Sequence, residues 1–310
     1  MIYTLTLNPA LDITISTSKI DKDQVNKTTL HSVSAGGKGF NTSRALNCMG
    51  TENIAVAFLG GFFKQNMENL LNEEGLKHYV VPVAGNTRAN IKLVEETTEK
   101  MVVLNSEGPS ITHQEIDCLF NYLKKISKRK RPEYFVLSGS LPKDTDVKMY
   151  GHLINFLKSE GIKILLDTEG EPLYHGILAS PDIVKINQHE LLEACNKHFK
   201  QSPDEFISDL LSRGIKMIMI TNGPHEIKYY DIFYSYLITP PDTKGPYKTG
   251  SGDSVNAGLV CALLKNYPIE EMLKYSIACG NANILTETPG KIEMENVCKL
   301  MGNVKIKKIL

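Results

Sequence analysis

Short runs of apolar or β-branched residues recur along the chain at Ile2–Leu7, Ile54–Leu59, Tyr134–Leu137, Ile162–Leu166, Ile183–Ile186 and Met217–Ile220. Between several of them lie amphipathic patterns of helical period, at roughly 41–49, 66–72, 113–126, 146–159, 188–198 and 203–212. Few folds accept this rhythm. A strand that is apolar on both faces must be covered on both faces, and a helix between two such strands carries the chain back for a parallel pairing. The expectation is an α/β chain with a mostly parallel sheet between two helical layers.

Two regions break the rhythm. Residues 11–34 and 88–104 carry alternating, polar-rich patterns such as Asp12-Ile-Thr-Ile-Ser16, Arg88-Ala-Asn-Ile-Lys-Leu-Val94 and Lys100-Met-Val-Val-Leu104. They predict a small antiparallel sheet with one wet face, too small to fold alone, lying as a lid on the main sheet. A meander at Glu226–Tyr230 and Phe233–Ile238 is expected to extend the main sheet in antiparallel fashion.

The carboxyl ends of the predicted core strands share a chemistry. Ile2–Leu7 leads to Asn8 and Asp12, Ile54–Leu59 to Gly60-Gly61, and Tyr134–Leu137 to Ser138-Gly139-Ser140. Ile162–Leu166 leads to Asp167-Thr168, Ile183–Ile186 to Asn187, and Met217–Ile220 to Thr221-Asn222-Gly223. Ligands of open α/β sheets bind at that edge, so these small, polar and acidic residues point to one cleft.

With 310 residues, 42% of them hydrophobic, the chain can bury a real core as one domain spanning 1–310. Lys plus Arg and Asp plus Glu both number 35, and this zero net charge gives no reason to expect a polyanionic partner. The basic run Lys124, Lys125, Lys128, Arg129, Lys130, Arg131 has no interleaved aromatic residue and ends a predicted helix, where cations suit the dipole; no nucleic acid is expected. The six cysteines form no Cys-x-x-Cys pair and read as reduced thiols. The opening MIYTLTLNPALDITI has no basic flank or cleavage site, and no apolar run approaches a membrane span. A cytoplasmic protein without a membrane partner is expected.

Gly250-Ser251-Gly252-Asp253 is the strongest local signal. Val255, Leu259, Val260, Leu263 and Leu264 follow at helical spacing. The turn therefore offers free backbone N–H groups at a helix start, which is an anion site. Asp253 is favoured there by the helix dipole alone, but a capping Asp does not need two glycines before it. A carboxylate beside an anion hole is what phosphoryl transfer asks for.

Other motifs are less specific alone. Asp12, after Asn8-Pro-Ala-Leu, is either a turn residue or a hydroxyl acceptor in the cleft. Ala35-Gly36-Gly37-Lys38-Gly39-Phe40-Asn41 lets backbone approach a ligand, and Lys38 and Asn41 sit where an anion or polyol is received. It is neither a Walker loop nor a dinucleotide fingerprint. Asn187-Gln-His-Glu190 has the spacing of a capping box, and equally that of a water-mediated Mg2+ site. His189-Glu190-Leu-Leu-Glu193 lacks the second histidine of a zinc motif.

Taken together and in order, these motifs resemble the PfkB carbohydrate kinases of the ribokinase-like fold. The resemblance runs from Asn8–Asp12 through Ala35–Asn41, Ser138-Gly-Ser-Leu-Pro142, Asp167, Lys185–Glu190 and Thr221–Gly223 to Gly250–Ser254. MIYTLTLNPALD and Thr87-Arg88-Ala-Asn90-Ile-Lys92 look like the branch containing 1-phosphofructokinase and tagatose-6-phosphate kinase. It implies a three-layer α/β/α fold with a β lid and an ATP- and Mg2+-dependent kinase acting on a ketohexose monophosphate. Asp253 would be the catalytic base, and the amides of Gly250, Ser251 and Gly252 would hold the transferring phosphoryl group. Asp12, Gly37, Lys38 and Asn41 would bind sugar hydroxyls, with Asn90, Ser138 and Gly139 beside them. Arg88, with Lys27 as a weaker candidate, would grip the phosphate already on the sugar. Asn187 and Glu190 would order Mg2+; Lys185, Asn187, Thr221, Asn222 and Gly223 would line the nucleotide site, with Asn281 near the adenine. A homodimer through the lid is implied as well.

Three positions depart from the family pattern, all on the nucleotide side: Ile186 stands where Pro is common, Thr221-Asn-Gly-Pro-His225 lacks a later glycine, and Lys244-Gly-Pro-Tyr-Lys248 replaces an Asn-x-Val-like run. Two alternatives stay open: a kinase of an unphosphorylated sugar or nucleoside, and a non-catalytic sugar-phosphate sensor on the same scaffold.

Overall fold

In chain order the elements are β1 (Ile2–Thr6), β2 (Ala10–Thr17), β3 (Thr29–Gly36), α1 (Lys38–Cys48), β4 (Asn53–Gly60), α2 (Lys64–Glu73), β5 (His78–Val83), β6 (Arg88–Glu95), β7 (Lys100–Asn105) and α3 (His113–Arg129). There follow β8 (Tyr134–Ser138), α4 (Met149–Ser159), β9 (Lys163–Asp167), α5 (Gly170–Leu178), β10 (Ile183–Asn187), α6 (Gln188–Glu193), α7 (Pro203–Ser212) and β11 (Met217–Thr221). The chain ends with β12 (Ile227–Asp231), β13 (Ser235–Thr239), α8 (Ser251–Leu264), α9 (Ile269–Ile284), α10 (Met294–Met301) and β14 (Lys305–Lys308). This computed structural model describes every residue except 22, 99, 130, 246, 247 and 310. Lys130 of the basic run, and Pro246 and Tyr247 of the segment before the glycine turn, lie outside the described residues.

The main sheet has ten strands in the order β14-β13-β12-β11-β10-β9-β8-β1-β4-β5. From β11 to β5 every ladder is parallel, and β12, β13 and β14 add on antiparallel. All six expected core strands are present. Their side chains divide between two helical layers. Phe135 and Leu137 face a core shared with Leu119, Leu123, Leu153, Leu157 and Phe206, while Tyr134 and Val136 face one shared with Leu46, Leu259, Leu273 and Val297. Burial on both faces is why these strands lack an alternating pattern.

Three features depart from the expected layout. β5, at the sheet edge, contains Pro82, which weakens a strand reading, and an edge strand tolerates it. The pattern expected to run as one helix over 188–198 ends as α6 at Glu193 and continues as a π-helical turn, Ala194–Phe199. The lid has the order β3-β2-β6-β7; its two outer ladders are antiparallel and its central β2–β6 ladder is parallel. That central register places Asp12 opposite Asn90 and Ala10 opposite Arg88.

The sheet order fixes where a ligand can sit. From β1 the chain continues to β4 and β5 on one side, while β8 and its successors lie on the other. Such a switch point opens a crevice at the carboxyl ends of the strands, and the lid rises from it. No helix among the described residues is long and apolar enough to cross a membrane.

Candidate active site

The crevice is a cleft of about 470 Å3. Its lining includes the strand-end residues Thr6, Asn8, Ser138, Asp167, Asn187 and Thr221, the loop residues Gly37 and Gly139, and Lys38, Asn41, Lys185 and Glu190. The lid contributes Asp12, Arg88 and Asn90, and the start of α8 contributes Gly250, Gly252 and Asp253. The polar side-chain atoms Thr6 Oγ1, Asn8 Oδ1 and Ser138 Oγ are buried at this cleft without a partner among the described residues. An orphaned buried polar atom costs about 1–3 kcal/mol, which a polar ligand relieves.

Helix α8 enters the cleft through Gly250, whose φ of 86° places it in the left-handed region. A side chain there would also collide with the Pro289–Gly290 turn, with Gly290 N only 2.6 Å from the new Cβ. No side chain among the described residues caps the helix. Among the described residues the amides of Gly250, Gly252 and Asp253 have no acceptor, whereas that of Ser251 donates to Lys248 O at 3.3 Å. The free amides that could receive an anion are therefore those of Gly250, Gly252 and Asp253; Ser251 does not line the cleft.

Asp253 is almost fully buried in the first turn. Its Oδ2 accepts a 2.7 Å hydrogen bond from Asn41 Nδ2, and no bond occupies Oδ1 among the described residues. Burial, reinforced by the charge of Asp167, pushes its pKa up to about 6, against the opposing pull of Lys38, the Asn41 hydrogen bond and Lys185.

Asp167, at the end of β9, gathers the cations. Lys185 Nζ lies 2.6 Å from its Oδ2 and Lys38 Nζ 3.1 Å from its Oδ1, while Asn256 Nδ2 donates to Oδ2 at 2.6 Å. Burial alone would raise this carboxyl, but Lys185 and Lys38 hold it well below the usual carboxylate range. The Asp167 charge in turn raises the Lys38 pKa. Two ammonium groups are thus gathered by one carboxylate at the floor of the cleft. A Cβ on Gly252 would sit 3.2 Å from Lys185 Nζ, so the bare glycine keeps that cation open to the anion hole.

The lid side is built differently. Asn90 Nδ2 donates to Asp12 Oδ1 at 2.7 Å, and burial raises the Asp12 pKa. A side chain on Gly36 would overlap the Asp12 carboxylate, which explains the first glycine of Ala35-Gly36-Gly37. Arg88 is half-buried and bonds only to neutral oxygens: Asn8 O at 3.2 and 3.3 Å, Ser106 O at 3.3 Å and Asn90 Oδ1 at 3.4 Å. It has no ion-pair partner among the described residues. These bonds are long for a guanidinium, and they leave it suited to a phosphate.

Asn187 and Glu190 form a complete capping box at the start of α6, with bonds of 2.9 and 2.7 Å. Glu190 is buried, which raises its pKa; it lines the cleft, and among the described residues one of its carboxylate oxygens has no hydrogen bond. An amide and a single carboxylate suit a hard cation that keeps most of its waters, so the pair fits Mg2+ held partly through ATP phosphates. No cluster of three or more metal-ligating side chains occurs among the described residues.

The remaining candidates lie elsewhere. Lys27 is exposed on the loop between β2 and β3, outside the cleft lining. Asn222 and Gly223 are exposed just beyond β11, and Asn281 bonds back to Ile277 O at 2.9 Å on α9. Two residues that sequence reasoning missed hold the centre together. Asn256, three residues after Asp253, grips Asp167, and Arg44, three residues after Asn41, donates to Asn41 Oδ1 at 2.8 Å. The readable signal was a polar residue one turn after a motif residue, on the buried part of its helix.

The family profile described as "pfkB family carbohydrate kinase" matches residues 5–295. The chain is similar to the 1-phosphofructokinase of Borreliella burgdorferi, at 29% identity over 100% of this chain and 99% of that protein. It is similar to the tagatose-6-phosphate kinase of Staphylococcus epidermidis, at 30% identity over 99% of both. The crystal structure of phosphofructokinase-2 from Escherichia coli, in complex with potassium, superposes with a TM-score of 0.87 at 26% identity, covering 97% of this chain and 98% of that one. The chain belongs to the pfkB family of carbohydrate kinases.

Proposed function

We propose that this protein transfers the γ-phosphoryl group of ATP to a hydroxyl of a ketohexose monophosphate, giving a bisphosphate. The observation that carries the choice of acceptor is Arg88, a half-buried guanidinium at the cleft with only neutral partners. An unphosphorylated sugar or nucleoside would leave it without a counter-ion. The relatives named 1-phosphofructokinase and tagatose-6-phosphate kinase make fructose 1-phosphate and tagatose 6-phosphate the first acceptors to test.

In this reading Asp12 and Asn90 orient the sugar while Arg88 holds its phosphate. Asp253 Oδ1 takes the proton from the acceptor hydroxyl. The oxygen then bonds to the γ-phosphorus as the bond from that phosphorus to the β–γ bridging oxygen breaks, and the electron pair leaves with ADP. Lys38, Lys185 and the free amides of Gly250, Gly252 and Asp253 balance the charge on the transferring group. Mg2+, ordered through Asn187 and Glu190, would neutralise the nucleotide phosphates. Dependence on ATP supports a cytoplasmic reaction.

The same reading includes a homodimer through the lid. Supporting it, β7 is an edge strand exposed along its whole length, and its apolar Met101, Val102, Val103 and Leu104 are all exposed. Val103→Lys should then turn a dimer into a monomer by light scattering.

The direct test is ADP release with fructose 1-phosphate, tagatose 6-phosphate and fructose 6-phosphate side by side. Turnover of none of the three, with turnover of an unphosphorylated sugar, would overturn the acceptor assignment.

A further inference from the structure

Arg44 is 5% exposed, yet it lies on α1 with every guanidinium N–H engaged. Nε and Nη2 take the two oxygens of Glu74 at 2.5 and 3.1 Å, a bidentate pair at the end of α2. Nη2 also donates to Ala35 O at 2.5 Å, and Nη1 donates to Pro289 O at 3.3 Å and to Asn41 Oδ1 at 2.8 Å. Five donors meet five acceptors. A lysine, with three donors on a flexible stem, cannot make this set.

The contact with Asn41 bears on the reacting carboxylate. The Asn41 amide lies between a guanidinium and the Asp253 carboxylate, with Oδ1 toward Arg44 and Nδ2 toward Asp253 Oδ2. Turned over, the amide would set its carbonyl against a carboxylate and its NH2 against a cation, so only one orientation is allowed. Arg44 also ties down Ala35, beside the Gly36 backbone that touches Asp12, and the Pro289–Gly290 turn that packs on Asn41 O.

We propose that Arg44 is a positioning residue: it locks the Asn41 amide so that Asp253 keeps Oδ2 engaged and presents Oδ1 to the acceptor hydroxyl. Glu74 balances the guanidinium and holds its plane, so a partly exposed side chain at the end of α2 supports the base from outside the cleft. The role rests on the kinase reading above, but its first test does not require turnover.

That test is a 13C titration of the Asp253 carboxyl in the free, full-length protein, for wild type, Arg44→Lys and Asn41→Ala. Loss of the ordered Asn41 donor should raise the midpoint by about one pH unit in both variants, as loss of one hydrogen bond to a charged group implies. In turnover, Arg44→Lys should lower kcat about tenfold to a hundredfold with the KM for ATP within about threefold. The double variant Asn41→Ala/Arg44→Lys should lose no more than Asn41→Ala alone. An unmoved midpoint in Arg44→Lys, or losses that multiply in the double variant, would overturn the proposal. If Arg44→Lys does not fold, Glu74→Gln, which touches only the Nε–Nη2 edge of the guanidinium and not the Nη1 that meets Asn41, should move the midpoint in the same direction by less, and no movement there counts against the proposal. Absence of wild-type turnover with every phosphosugar would count against the kinase reading and leave the titration result standing by itself.

Discussion

Asp167 and Asp253 share one buried pocket, at 1% and 6% exposure, and their carboxyl groups are driven in opposite directions. Burial and the neighbouring Asp167 charge lift Asp253 to about 6, whereas Lys185 and Lys38 overcome burial to hold Asp167 low. One carboxylate stays ionised between Lys38 and Lys185, and the other is poised to accept a proton near neutral pH.

The first expectation is a pH profile. kcat/KM should fall on the acid side with a midpoint near 6, because protonated Asp253 cannot take the hydroxyl proton. Asp167→Asn should shift that midpoint downward, since it removes a negative neighbour and leaves Lys38 and Lys185 unopposed. The same variant should lose about 3–5 kcal/mol of stability, measured by urea denaturation, because two buried cations lose their counter-ion. A midpoint that stays put in Asp167→Asn would break the electrostatic link between the two carboxylates.

Asp253→Asn separates activity from stability. kcat should drop about 10²- to 10⁴-fold, the usual contribution of a positioned base. Stability should move the other way. Between pH 3.8 and about 6 the folded state retains a proton that the unfolded chain has released, so stability falls as pH rises through that window and the penalty persists above it. A shift of about two units at about 1.4 kcal/mol each means that Asn at 253 should stabilise the fold by up to about 3 kcal/mol at pH 7. Denaturation midpoints at pH 4 and pH 7 check the sign: the variant's advantage should be small at the lower pH and large at the higher.

Gly36→Ala tests the sugar side. The added methyl would overlap the Asp12 carboxylate, so Asp12 must leave its place beside Asn90. The KM for the phosphosugar should rise at least about tenfold, as misplacement of one binding group implies, with the KM for ATP within about twofold. Equal effects on both substrates would mean that Asp12 does not bind the sugar.

Much of this site was legible in the residues because its signals are local. Gly250-Ser-Gly-Asp253 announced a helix start open to an anion, and the strand-end residues converge because parallel strands all deliver their carboxyl ends to one edge. The Asn187–Glu190 spacing read equally as cap and metal site, and the cap is fully formed there. What was hidden is non-local. Lys38 meets Asp167 across 129 positions and Asn41 meets Asp253 across 212, and no period or motif encodes such pairings. Arg44 and Asn256 belong to no motif of their own, and only the folded chain brings Asn256 to Asp167 and Arg44 to Glu74. Ser251 shows the limit of carrying a role over by position: a neighbouring carbonyl already takes its amide.

The central claim is that a phosphate on the sugar, gripped by Arg88, brings a hydroxyl to Asp253. The most direct test is steady-state ADP release by wild type and Arg88→Ala with each phosphosugar and with unphosphorylated fructose. The account predicts wild-type turnover of a phosphosugar far above that of fructose, and an Arg88→Ala KM for that phosphosugar raised at least about tenfold, the loss of a charge-assisted bidentate contact. An unchanged KM in Arg88→Ala, or fructose turned over as well as its phosphates, would contradict it.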